Sequence, residues 1–328
     1  MSAGVSLQYI VRRVLYAIPV VFGVIILAFL LLQLAPGDLA TVLAGDSGGA
    51  PPGYVDELRS RYGLDQPVLV QLALYIKNVA MFDLGFSFRH NMPVLDLLMS
   101  RIGPTFLLMG AALVLSVALG VLAGVVAALN VRTWKDHLIS VAATLVYAIP
   151  LFWVGLMLIL IFSIKLDLLP TSGMEDVAAF YEGFDRVKDI AWHLILPAST
   201  LALFYTALYA RLMRASMLEQ YGMEYVTTAR AKGLTERRIG VGHVLRNALL
   251  PVVTMVGVQA GALLGGSIVV ESIFAWPGLG MLAFEALQSR DYNLLLGILF
   301  VSAVMVVVVN LIVDILYGVL DPRIEVAK

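Results

Sequence analysis

Apolar residues along this chain come in long unbroken runs separated by polar intervals. Val14–Leu34 holds 21 residues without a charge, and Ile102–Leu129 and Leu138–Ile164 follow it. The shorter Leu194–Ala210 comes next, then 24 uncharged residues between Arg246 and Glu271, and finally Tyr292–Val313. A bilayer core about 30 Å thick needs roughly 20 mostly apolar residues of helix to cross it. The pattern therefore predicts six transmembrane helices in an all-α membrane protein, because a helix satisfies its own peptide groups in lipid. Between the first two runs lies a long polar segment, Pro36 to Arg101. It divides into a Gly/Pro-rich loop at Gly45–Gly53 and a helical stretch over about Val55–Met81, where Val68, Leu72, Tyr75 and Val79 recur at helical spacing. Residues 1–101 thus read as one helix with a large appended segment, and 102–328 as a five-helix unit.

Composition agrees with a lipid solvent. Of 328 residues 60% are hydrophobic and only 14% charged, and the mean hydropathy is +0.92. So few charges, gathered into a few intervals, are poorly suited to cover a soluble globule. The first run is expected to be retained, since no small-residue cleavage site precedes Pro36-Gly37-Asp38. Lysine and arginine set the orientation. With the N-terminus in the cytosol, residues 1–13, 130–137, 211–247 and 314–328 are inside, and they hold 13 Lys and Arg against 7 Asp and Glu. The outer intervals hold 9 against 16. Both termini are therefore expected to be cytosolic, in a multi-pass membrane protein.

What the chain lacks narrows its chemistry. Without cysteine it offers no disulfide, thiolate nucleophile or Cys-ligated metal site. His90, His137, His193 and His243 are dispersed, with no helical pair spaced for a metal. No GxxxxGK[ST] phosphate loop occurs, so the chain itself has no visible means of hydrolysing ATP. The spans carry almost no charge that would serve as an ion relay, Asp314 lying near the inner end of the last one. They offer no acid, base and nucleophile set for a membrane enzyme. A stand-alone channel or secondary transporter remains a reading of the apolar pattern, because broken helices bind ions through backbone carbonyls.

Against this background one cytosolic stretch stands out: Glu224-Tyr225-Val226-Thr227-Thr228-Ala229-Arg230-Ala231-Lys232-Gly233. Gly222 punctuates its start, Glu224 favours a helix N-terminus, and Gly233 after Arg230 and Lys232 forms a helix stop. Tyr225, Thr228, Ala229 and Lys232 fall on one side, with small groups at the centre. Such a helix either docks in a groove on another protein or is a basic loop that only fixes topology.

The same stretch, followed by Leu234 and later by Arg246-Asn247-Ala248-Leu249-Leu250-Pro251, resembles the cytosolic coupling loop of bacterial ABC-importer permeases of the dipeptide/oligopeptide class. Thr227-Thr228-Ala229 stand where that loop has Glu-Ala-Ala, Gly233 stands at its Gly, and Leu250-Pro251 close it. Leu64-Asp65-Gln66-Pro67, Asp83-Leu84-Gly85-Phe86-Ser87, Glu271-Ser272-Ile273-Phe274-Ala275-Trp276-Pro277-Gly278-Leu279-Gly280 and Asp321-Pro322-Arg323 are similar to further landmarks of the class.

The resemblance implies a type I importer permease fold, with the loop of about 211–250 between the fourth and fifth spans forming a coupling helix. Glu224, Tyr225, Thr227, Thr228, Ala229, Arg230, Ala231, Lys232 and Gly233 would then couple to an ATPase. It implies no cofactor in this chain, with ATP and Mg on two cytosolic ATP-binding subunits. It also implies a second permease subunit, an extracytoplasmic solute-binding protein, and no nucleic acid. The solute class it implies is peptides, with glutathione and nickel chelates as alternatives. Glu271, Trp276, Pro277 and Gly278 are candidates for an outer gate or a binding-protein contact, and Trp276 equally for a membrane-interface anchor. The segment after the first span is either a structural cap or a docking surface for the binding protein. Gly120 and Gly124, and likewise Gly257, Gly261 and Gly265, repeat at four-residue spacing that lets helices approach closely. Pro150 and Pro197 are candidate kinks.

Overall fold

The long apolar runs are helical in the computed structural model, which describes residues 7–34, 65–87 and 89–320. Helix α1 (Leu7–Leu34) reaches back through Arg12 and Arg13. The expected loop at Gly45–Gly53 lies outside the described residues. Helix α2 (Val68–Ala80) follows, and its Tyr75, Ile76 and Val79 pack on Val21 and Ile25 of α1 and on Phe300 further along the chain. Phe29 and Tyr75 meet with ring centres 5.9 Å apart and planes tilted by 32°, and Gln33 donates to Gln71 at 2.8 Å. The expected apolar stripe is thus a packing face, although its first member, Val68, is exposed.

A two-stranded antiparallel hairpin, β1 (Phe86–Ser87) and β2 (Met92–Pro93), leads into α3 (Val94–Leu129). The expected division at residue 101 falls inside this unbroken helix. Helices α4 (Trp134–Ala148) and α5 (Leu151–Leu158) come next, the second continuing as a π-helical turn, Ile159–Lys165. The run expected as one span at Leu138–Ile164 is broken in its middle, its two halves meeting at 103°. Pro150 has no N–H to continue α4 and pushes the preceding residue out of the helical region. Ile149 accordingly sits extended at φ −82, ψ 134.

Helix α6 (Gly183–Tyr221) is 39 residues long, far more than the 17-residue run that announced it, because helix continues into polar sequence at both ends. Pro197 lies within it without breaking it. Beyond it come α7 (Glu224–Ala231), α8 (Glu236–Ile239) and a π-helical turn (Gly240–Val244) that runs into α9 (Leu245–Ile273). The described chain ends with α10 (Leu279–Gln288) and α11 (Tyr292–Leu320). Among the described residues four helical stretches are long and apolar enough to cross a membrane, five if α4 with α5 is one bent span; α1 contributes the apolar stretch Ile18–Leu30.

Helices α3 and α6 form the closest pair, and glycine is the reason. A Cβ at Gly120 would sit 2.5 Å from Tyr209 Cβ, and one at Gly124 would sit 2.6 Å from the Ala210 carbonyl. No side chain fits there, so the spacing Gly120, Gly124 is a packing seam, as expected. Gly261 similarly faces Asn310 of α11. Around the seam, Met213 and Met217 of α6 join Ile239, Val244, Ala248 and Val252 in one buried cluster. A second cluster sets α3 against α5, α6 and the end of α9 through Leu108, Leu201, Val270, Phe274 and Trp276.

Candidate functional site

Helix α7 covers Glu224–Ala231 of the charged stretch, and local chemistry explains both of its ends. Met223 is extended at φ −79, ψ 150, which breaks the line of α6 after Gly222. At the other end Gly233 has φ +79, its N–H donates to the Arg230 carbonyl at 2.9 Å, and Leu234 N–H donates to the Ala229 carbonyl at 3.2 Å. Those two bonds with a left-handed glycine make a Schellman stop. The glycine expected to end the helix does so by the expected geometry.

The exposed face differs from the expected one. Val226 is fully buried and Ala229 nearly so, both in the cluster with Met217, Ile239 and Val244, and Tyr225 is half-buried with its hydroxyl donating to Gln220 Oε1 at 3.0 Å. Ala229 and Tyr225 therefore root the helix in its own subunit. Glu224, Thr227, Thr228, Arg230, Ala231 and Lys232 are exposed. Val226 lay off the face read from the sequence. It belongs to the buried pair Val226, Ala229, whose i, i+3 spacing is the usual signature of a helix laid on a core. Arg230 forks onto Glu236 of α8, Nε to Oε1 at 2.6 Å and Nη2 to Oε2 at 3.2 Å, spanning the turn that Gly233 makes. So α7 is held on three sides: α6 by sequence, the core by Val226 and Ala229, and α8 by Arg230.

One turn structure of α6 bears on the same end of the bundle. Arg214 donates through Nε and Nη2 to both carboxylate oxygens of Asp136 at 2.6 and 2.8 Å, and Arg132 N–H adds a third bond at 2.9 Å. Asp136 is buried while Arg214 is partly exposed. This pair fixes the start of α4 on α6 two turns before α6 ends. Sequence reading passed over it, because residues 78 positions apart carry no spacing signal.

At the opposite end, Glu271 and Trp276 are both completely buried. Glu271 Oε2 accepts from Gly280 N–H at 2.7 Å and Met281 N–H at 3.0 Å, and Oε1 accepts from Thr105 Oγ1 at 3.0 Å. Thr105 Oγ1 in turn accepts from Leu279 N–H at 2.8 Å. The carboxylate therefore caps the first turn of α10 and ties it to α3, where the unpaired N–H groups and the helix dipole both favour an anion. Trp276 Nε1 donates to the Pro104 carbonyl at 2.9 Å. The anchor expected of Trp276 is corrected: its ring is completely buried between α3 and α9 and turns no surface outward. Pro277 is half-buried and Gly278 buried. A Cβ at Gly280 would meet Ile268 Cα at 2.6 Å, so the backbone of α10 closes on α9 only because that position is bare. Thr105, unmarked in the sequence, is a full member of this joint.

The described residues contain no group of three His, Cys, Asp or Glu able to hold a metal.

Comparison with known proteins gives this geometry a family. The model of the binding-protein-dependent transport system inner membrane component matches residues 120–326, and its N-terminal companion matches 6–109. The chain is 39% identical to the dipeptide transport system permease protein DppB of Escherichia coli K12, over 98% of this chain and all of that protein. It is 40% identical to the oligopeptide transport system permease protein AppB of Bacillus subtilis, over 97% and 99%. The glutathione transport system permease protein GsiC of Escherichia coli is 39% identical over 97% and 99%. Among solved structures, an inward-facing MetNI methionine ABC transporter chain superposes with a TM-score of 0.56 at 16% identity, over 69% of this chain and 96% of that one, which shows a shared permease fold. The chain is a multi-pass membrane protein and belongs to the family of binding-protein-dependent transport system inner membrane components, the permeases of ABC importers.

Proposed function

We propose that this chain is one of two permease subunits that line the path of an ATP-driven peptide importer, with α7 as the helix through which cytosolic ATPases drive it. The single observation carrying this reading is the divided surface of α7. Its inner face is locked into the core shared by α6 and α9, while its outer face is free and small at Thr227, Thr228 and Ala231. A helix so rooted transmits a push to two spans at once, which a flexible loop cannot do. ATP closing the ATPases would move α7 and with it the ends of α6 and α9, so that the path alternates between its two openings. The peptide class follows from the names of the relatives; glutathione is the second reading, carried by the glutathione permease among them. An extracytoplasmic binding protein delivers the solute, the partner permease is a different chain, and ATP and Mg act on the ATPase subunits.

Reconstitution tests the division of labour. The purified chain alone is expected to turn over no ATP, and turnover should appear when partner permease and ATPases are added and rise with loaded binding protein. Robust turnover by the chain alone would reject the proposal. Orientation is tested by single cysteines in a chain that has none. An impermeant thiol reagent on intact cells is expected to label Gly48→Cys and Asp176→Cys and to spare Lys328→Cys. Labelling at Lys328→Cys would invert the topology.

A further inference from the structure

Arg211 of α6 and Tyr147 of α4 form a polar contact where the sequence is otherwise apolar. The Arg211 guanidinium sits 4.7 Å from the Tyr147 ring centre. That ring stacks on Phe204 at 5.0 Å and 20°, and Phe204 in turn meets Tyr205 edge-on at 5.3 Å. Tyr147 lies nine residues into the apolar run that begins at Leu138, about 14 Å of helix rise. Helical side chains lean toward the N-terminus of their helix. Arg211 therefore leans back along the apolar run Leu194–Ala210, away from the polar end of α6 at Tyr221.

Three observations set this guanidinium apart. Arg214, one turn on, is neutralised by Asp136, whereas among the described residues Arg211 has no carboxylate partner and donates no side-chain hydrogen bond. Arg211 and Tyr147 are both exposed on the single subunit. Tyr147 also precedes the break at Ile149–Pro150, where α4 ends and the carbonyls of its last turn lose their helical partners. Irregular backbone beside a span, and an arginine that leans into an apolar run, are tolerated where they face protein or a water-filled cavity, not lipid tails. A cation, an aromatic platform and a broken helix on one exposed face make a site for an anion that also has an apolar part.

We propose that Arg211, with Tyr147 and Phe204 as its platform, binds the terminal carboxylate of a peptide in transit. This rests on the peptide-importer reading above. The planar guanidinium suits a carboxylate because its N–H donors match the two oxygens in a fork, and one face of it is already occupied by Tyr147. The same cation would suit a lipid phosphate at the bilayer boundary, and the test separates the two.

The whole transporter, carrying Thr144→Cys in this chain, is reconstituted in proteoliposomes. Thr144 is exposed one helical turn before Tyr147, and the chain has no other cysteine. Modification of this position by N-ethylmaleimide is followed by mass in the presence of dialanine or of dialanine amide. Dialanine is expected to protect with a half-effective concentration about tenfold below that of the amide, the loss expected for one charge-assisted pair. Adding Arg211→Gln should erase that difference, and Arg211→Lys should restore part of it. Equal protection by both compounds, protection by neither, or a difference that survives Arg211→Gln would overturn the site and leave the cation to a lipid headgroup. Uptake of radiolabelled dialanine by the parent transporter keeps the two readings apart: uptake without protection rejects this site alone, while no uptake of dialanine rejects the peptide reading and the site with it.

Discussion

Replacing Gly233 by valine is expected to leave the protein in the membrane at near-normal abundance and to disconnect it from its ATPases. Gly233 holds φ +79, a region that a β-branched residue enters only at a cost of about 1–2 kcal/mol. Nothing lies within 4 Å of a Cβ built there, so the whole effect is backbone strain, and no neighbour shares it. The strain falls on the two bonds of the helix stop and on the turn that Arg230 and Glu236 span, so relief comes from re-aiming α7 against α8. A penalty of that size shifts the correctly seated population by a factor of about 5 to 30. Solute uptake in cells should fall by that order, and stimulation of ATP turnover by loaded binding protein should be lost with it. Ala231→Asp approaches the same end by another route, setting a carboxylate on the exposed face between Thr227, Thr228 and Lys232. Normal uptake at normal expression in both variants would show that α7 fixes topology and does nothing more.

Glu271→Ala is expected to act through stability, at the far end of the molecule. The substitution strips an acceptor from Gly280 N–H, Met281 N–H and the Thr105 hydroxyl, all in a dry joint between α3, α9 and α10. Each buried donor left without a partner costs about 1–3 kcal/mol, so a total of about 3 kcal/mol or more is expected. Purified Glu271→Ala should unfold at clearly lower temperature than the parent, and Glu271→Gln, which keeps one acceptor oxygen, should fall between them. Equal unfolding temperatures for all three would mean that the carboxylate is no keystone of this joint. The contrast with Gly233→Val is informative, since one variant spares the fold and loses coupling while the other loosens the fold itself.

These sites differ in how local their signals are. Helix α7 was legible in sequence, since a glycine stop, an acidic first turn and a charged segment between apolar runs are all local signals. Its buried face was not, because Val226 and Ala229 become inward only when Met217, Ile239 and Val244 close over them. Glu271 and Trp276 stand in a sequence motif whose pattern implies an outer-surface feature. A carboxylate and an indole at the end of a membrane span look like surface groups until Thr105, Pro104 and the start of α10 supply their partners.

The order of residues alone sets the solvent, the helical class, the positions of the long apolar runs and the close-packing glycines, because lipid imposes one rule on every residue of a span and that rule is written in hydropathy and spacing. It also determined where α7 stops, since a left-handed turn after a short helix all but calls for glycine. The rest comes from packing: that Pro150 breaks its helix while Pro197 rides within α6, that α6 runs on through polar sequence, and that Asp136 meets Arg214 while Arg211 meets an aromatic ring. Those outcomes depend on which groups arrive from elsewhere in the chain to fill a backbone bond, neutralise a charge or exclude water. No local pattern of residues records that.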